Sequence, residues 1–209
     1  MTKKTAAIIE RLNDEYGLFT EPTLDYEKPH ELLIATMLSA QCTDERVNMV
    51  TKDLFKKYTS VKDFADADLS ELEQDIHSVG FYHAKATHII EACKRLHEEF
   101  EDEVPSDIED LTSLSGVGRK TANVVRTHIF HIPSIVVDTH VKRISNKLGL
   151  TQEHDPVKIE FDLMKKLPES QWSAINLQII TLGRSICTAR SPKCSECFLS
   201  DLCPGRIRA

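Results

Sequence analysis

Cys187, Cys194, Cys197 and Cys203 crowd the end of this 209-residue chain with the spacing C-x6-C-x2-C-x5-C. A two-residue gap lets two thiolates converge on one metal centre, and the six-residue loop supplies a third from a turn. Zinc sites usually pair two short cysteine knuckles across a longer gap. One compact group of four better suits a 4Fe-4S cubane, so iron–sulfur is the expected cofactor and zinc its rival. Arg184, Arg190 and Lys193 accompany the cysteines, and a metal-clamped loop presenting cations is a rigid way to grip phosphates. A solvated basic loop would look the same. Cys42 and Cys93 fall within or beside helical patterns and read as small hydrophobes.

A second group of residues runs from Leu111 to Val125, L-T-S-L-S-G-V-G-R-K-T-A-N-V-V. Gly116, Val117 and Gly118 predict a tight turn, and a helix begins near Arg119. Glycines on both sides of an apolar residue allow close backbone approach, while a new helix offers unpaired N–H groups. The pattern reads as a helix-hairpin-helix, which holds a DNA phosphate without reading sequence. Lys120 lies in the first turn beside Arg119, a setting in which a lysine amine can serve as a Schiff-base nucleophile. A phosphate-binding lysine fits the same position. Asp138, within Val136-Val137-Asp138-Thr139-His140, is a natural N-cap for the stripe Val141, Ile144 and Leu148. A cap is also available for catalysis if its carboxylate faces a cleft. His140 reads as structural.

The elements that must position these groups are helical. Ile9, Leu12 and Tyr16 form a stripe ended by Gly17. Val47, Val50 and Leu54 follow Thr43, an expected N-cap, with acids first and lysines last, as a helix dipole favours. Ser70 with Glu73, and Ser106 with Glu109, have capping-box spacing. Asp155-Pro156 reads as a cap followed by proline at the first helical position. Trp172, Ile175, Ile179 and Leu182 make a further stripe, expected to close at Gly183. Only Ile135, Val136 and Val137 suggest a strand, too short to build a sheet. The expected fold is all-α, with about ten short helices.

Composition bounds the rest. With 41% hydrophobic and 28% charged residues and a mean hydropathy of -0.29, the chain is neither disordered nor collagen-like. No secretory signal or membrane span is read in it, so a cytoplasmic location and reduced or metal-bound cysteines are expected. The net charge of -7 argues at first against a polyanionic partner. Yet residues 1–110 carry 12 Lys and Arg against 25 Asp and Glu, and residues 111–209 carry 14 against 8. Residues 111–150, with the hairpin and Asp138, hold six basic side chains and one acidic. The average conceals a separation that suits a nucleic-acid partner.

The hairpin, the V-D-T-H segment at Val137 to His140 and the four-cysteine tail, in this order, resemble bacterial endonuclease III. The resemblance extends to Leu38-Ser39-Ala40-Gln41-Cys42-Thr43-Asp44 and to Val79-Gly80-Phe81-Tyr82-His83-Ala84-Lys85, and so covers nearly the whole chain. It implies a bifunctional DNA glycosylase and abasic-site lyase of base-excision repair, acting on double-stranded DNA with damaged pyrimidines or abasic sites. It implies Lys120 as the amine that attacks the sugar C1′ and Asp138 as the carboxylate that assists base loss. One 4Fe-4S cluster held by the four cysteines follows too. So do two helical domains with the DNA cleft between them. One would be a barrel over residues 22–132 holding the hairpin at about 107–130. The other would combine 1–21 with 133–209 and the cluster loop at 187–203. The damaged nucleotide would be flipped, with Gln41 and the Phe81 loop filling the gap. The hairpin residues Gly116, Val117, Gly118 and Arg119, with Arg184, Arg190 and Lys193, would meet the backbone. A monomer without a membrane partner, working at the bacterial nucleoid, completes the expectation.

Two positions depart from the family pattern: Phe81 stands where leucine is common, and Cys42 where alanine is frequent. An aromatic can also fill a vacated stack. Two other functions share parts of this pattern. Monofunctional mismatch glycosylases tend to lack the hairpin lysine, and their adenine-removing branch carries an extra C-terminal domain. A non-enzymatic iron–sulfur DNA-binding protein would have no need of Lys120 and Asp138 together.

Overall fold

The computed structural model describes residues 1–18 and 23–207. In chain order the helices are α1 (Lys3–Tyr16), α2 (Pro29–Leu38), α3 (Asp44–Lys57), α4 (Val61–Ala65), α5 (Leu69–Asp75), α6 (Tyr82–Glu99), α7 (Ile108–Ser113), α8 (Arg119–His128), α9 (Thr139–Leu148), α10 (Pro156–Lys166) and α11 (Glu169–Ser185). One 3-10 turn, His77–Val79, precedes α6. No strand occurs among the described residues, and residues 135–137 run without regular structure. No helix among them is long and apolar enough to cross a membrane.

The chain divides into two compact units, Met1–Glu21 with Pro133–Ala209, and Pro22–Ile132. Residues 19–22, where the first domain boundary is expected, lie outside the described residues. In the unit Pro22–Ile132, α2 is the central element, buried from His30 to Leu38. An apolar stripe does not mark it, because it is covered on all sides. Its buried first turn is satisfied by Glu31, whose Oε2 accepts the N–H groups of Glu27 and Lys28 at 2.7 and 3.1 Å. Around α2 pack Phe64, Leu72, Ile76, Ile89, Leu96 and Leu111. The other unit gathers Ile8, Leu12, Ile144, Leu148, Ile159, Leu163, Ile175 and Ile179 into its own core.

Several local expectations shift by a residue or an element. Thr43 and Asp155 cap α3 and α10 through their side chains, and Gly17 closes α1 at φ 69°. The caps of α5 and α7 are Asp68 and Asp107, not Ser70 and Ser106. Asp107 accepts from the N–H groups of both Glu109 and Asp110, which leaves no place for Ser106 as the cap. Gly183 does not end α11, which continues to Ser185. A Cβ at Gly183 would stand 2.7 Å from His140 Nδ1 and 3.0 Å from Ile144 Cδ1. The glycine is there because α9 crosses α11 closely, and its placement reflects packing.

Candidate DNA-binding and metal-binding sites

The hairpin begins where α7 ends. Leu111, Leu114, Val117, Ala122 and Val125 turn into the core of the Pro22–Ile132 unit. Gly116 has φ 73°, and a Cβ on it would lie 2.7 Å from the His88 Cβ on α6. Only glycine seats the turn against α6. Gly118 differs: its φ is -88°, and a Cβ there would meet nothing within 4 Å. It is the N-cap of α8, and no side chain caps that helix start. The turn thus presents bare backbone and an uncapped helix N-terminus, which together favour an anion. Val117 is 5% exposed and its N–H donates to Leu114 O at 3.1 Å, so its side chain anchors the turn to the core. Lys120 projects from the first turn of α8, exposed, and Arg119 beside it is half-buried.

In the other unit, Asp138 is the N-cap of α9, its Oδ1 accepting the Val141 N–H at 2.8 Å. The side chain is half-buried, and Oδ2 is the oxygen left for a further partner. His140 packs against Gly183, and its buried Nδ1 has no partner among the described residues, so its place is structural.

Gln41 and Phe81 stand in the left-handed region, at φ 55° and 51°. This backbone conformation is unfavourable for residues other than glycine, and loops that hold it are over-determined by their surroundings. Gln41 is exposed and Phe81 is 65% exposed, so two side chains are held outward on constrained turns.

After α11 no further helix occurs among the described residues. Cys187, Cys194, Cys197 and Cys203 all border one small cavity, walled by Ile144, Leu148, Leu182 and Ile186. Among the described residues, no three His, Cys, Asp or Glu converge closely enough to hold a single ion. Burial raises the Cys197 and Cys203 thiols above the ordinary range, and the other cluster cysteines raise them further. A cationic metal core reverses that penalty by stabilising the thiolates. Four sulfur donors around one apolar-walled space fit an iron–sulfur cluster. Arg184, Arg190 and Lys193 lie near them in the chain, all exposed, and Lys193 also borders the cavity.

The surrounding structure fixes this loop with residues that the motifs do not mark. Arg143 donates to Cys187 O at 2.7 Å. Arg11 donates to Phe198 O at 2.7 Å and grips Asp201 with both terminal nitrogens. Gly205 donates to Lys147 O at 3.0 Å, and a Cβ on it would meet that oxygen at 2.9 Å. The sequence signal for them was available only in part: Arg143 and Lys147 lie one turn apart on α9.

Comparison with known proteins adds to this geometry. Residues 34–169 match the model of the HhH-GPD superfamily base excision DNA repair protein, and residues 187–203 match the iron-sulfur binding domain of endonuclease III. Endonuclease III of Synechocystis sp. is 52% identical over 183 residues, covering 87% of this chain and 84% of that protein. Endonuclease III of Bacillus subtilis is 44% identical over 202 residues, covering 96% and 92%. Among solved structures, a non-covalent endonuclease III–DNA complex superimposes with a TM-score of 0.91 at 42% identity, over 98% of this chain and 97% of the other. A trapped covalent endonuclease III–DNA intermediate matches to the same extent. A thermostable thymine-DNA glycosylase shares the fold at 22% identity, with a TM-score of 0.85.

Proposed function

The chain belongs to the endonuclease III family of base excision DNA repair proteins, and from that premise we propose that it removes damaged pyrimidines from duplex DNA with Lys120 as its nucleophile. It is a DNA glycosylase and abasic-site lyase. The observation that carries the assignment of Lys120 is its place, exposed in the first turn of α8, directly after an uncapped glycine turn. A phosphate held at the turn sets a nearby sugar within reach of the lysine stem.

In the proposed reaction the neutral Lys120 amine attacks C1′, the C1′–N bond breaks, and the base leaves with the bonding pair. Asp138 Oδ2 takes the amine proton or faces the positive charge that develops on the sugar. Ring opening gives the Schiff base. Loss of a 2′ proton then expels the 3′ phosphate, which cuts the strand on the 3′ side of the lesion. Gln41 and Phe81 fill the stack that the flipped nucleotide vacates. Gly116 and Gly118 set the turn backbone that meets the phosphate, Arg119 stands beside it, and Arg184, Arg190 and Lys193 contact the backbone further along. The protein carries one 4Fe-4S cluster, which Cys187, Cys194, Cys197 and Cys203 would hold. When bound, it supplies four metal–sulfur bonds that fix the basic loop. The place of work is the nucleoid, where the substrate lies.

Borohydride added to the protein with duplex DNA containing an oxidised pyrimidine should trap a covalent adduct. Lys120→Ala should abolish trapping while leaving the cluster's absorbance near ~400 nm in place. An adduct of equal yield from Lys120→Ala would defeat the assignment.

A further inference from the structure

A lysine with no part in the chemistry above is buried inside the Pro22–Ile132 unit. Lys85, on α6, is 6% exposed, and its Nζ donates to Leu38 O at 2.8 Å and to Val79 O at 3.1 Å. Its backbone N–H donates to Phe81 O at 3.1 Å. Leu38 is the last residue of α2, three before Gln41, and Val79 closes the 3-10 turn, two before Phe81. The same residue therefore holds the roots of both left-handed turns. Among the described residues no carboxylate pairs with the ammonium. Burial lowers its affinity for a proton, and only the nearby Cys42 sulfur opposes that. A charge kept in so dry a place demands a reason, since an apolar side chain would fill the space at less cost. The two carbonyls give one: each ends a helical turn, where the dipole is negative and the oxygen lacks an intrahelical partner.

Resting on the reading of Gln41 and Phe81 as the residues that fill the vacated stack, we propose that Lys85 is a positioning residue that couples the two turns into one wedge. With both roots tied to one ammonium, neither turn can relax without disturbing the other. Gln41 and Phe81 then enter the duplex as a preorganised pair, which lowers the ordering penalty of extruding the damaged nucleotide.

The test uses the cluster-loaded full chain and a duplex carrying one oxidised pyrimidine beside 2-aminopurine, whose fluorescence rises when the stack opens. Lys85→Met keeps the stem and removes the donors. Single-turnover base release and the fluorescence rise should both slow about tenfold or more. Trapping on an abasic site in single-stranded DNA, where no stack has to be filled, should change less than about threefold. Lys85→Gln, a shorter and uncharged donor, should fall between. Extrusion at the wild-type rate in Lys85→Met would overturn the proposal, and so would an equal loss on both substrates, which marks a general structural defect. Gln41→Ala and Phe81→Ala keep the two readings apart. If neither slows extrusion, the wedge reading itself fails; if they do and Lys85→Met does not, only the coupling fails. Should both Lys85 variants prove unfolded, the Gln41→Ala/Phe81→Ala pair in the native background decides. A combined effect smaller than the product of the single effects supports coupling, and independent effects refute it.

Discussion

Asp138 commits Oδ1 to the Val141 N–H and so fixes the start of α9, while Oδ2 is the oxygen assigned to the reaction. The two roles are separable by substitution. Asparagine caps a helix nearly as well as aspartate but carries no charge and cannot take a proton. Asp138→Asn should therefore leave the melting temperature almost unchanged and lower single-turnover base release by about a hundredfold or more. Asp138→Ala should lose as much activity and, in addition, about 1 kcal/mol of stability. Parallel melting and base-release measurements check this, and near-normal release by Asp138→Asn would reduce the residue to a cap. The cap was legible from sequence, because an aspartate ahead of an apolar stripe announces a helix start. The catalytic part proposed for it was legible only through resemblance, since a carboxylate serving as a cap and one serving a reaction share the same local pattern.

At the scale of elements, the hairpin's two glycines have different physical reasons to be glycine. Gly116→Ala places a Cβ at φ 73° and 2.7 Å from His88 Cβ. It should cost about 1–3 kcal/mol, a fall of several degrees in melting temperature. Gly118→Ala meets nothing within 4 Å and keeps an ordinary φ. It should hold stability within about 0.5 kcal/mol and yet weaken duplex binding, because the methyl group covers the backbone offered to a phosphate. Thermal melts beside binding titrations on the two variants check the contrast, and equal binding by Gly118→Ala and wild type would remove Gly118 from the interface. Sequence revealed that this turn mattered but not which glycine serves the fold, since His88 reaches Gly116 from another helix. The same limit explains Gly183. A glycine after an apolar stripe has the appearance of a stop, and only the crossing of α9 turns it into a packing residue. The buried α2 lacks a stripe because every face of it is covered, and nothing local marks Lys85 as buried, because a lysine near the start of a helix ordinarily faces water.

The charge of the whole molecule, -7, describes an average over residues that do different work. Helix α6 shows the separation within one element. Phe81 stands at its N-terminal end, whereas Glu98 lies in its last turn, with Glu101 and Glu103 just beyond. Eighteen helical residues set those ends about 27 Å apart, well over the Debye length of about 8 Å in physiological salt. On the proposed reading of Phe81, acid at the far end is screened from DNA held at the near end. Counterion release depends on the cations that touch phosphates, not on the sum of charges. Affinity for a duplex with an uncleavable abasic analogue should therefore fall steeply with salt despite the acidic balance. Arg190→Ala and Lys193→Ala should each lower the slope of log affinity against log salt by about one. Replacing Glu98, Glu101 and Glu103 with glutamine should leave that slope unchanged. Anisotropy titrations across a salt series measure all three. A flat salt dependence would argue against duplex DNA as the ligand, and a slope that moved with the glutamates as far as with Arg190 would show that the average charge, and not its placement, governs binding.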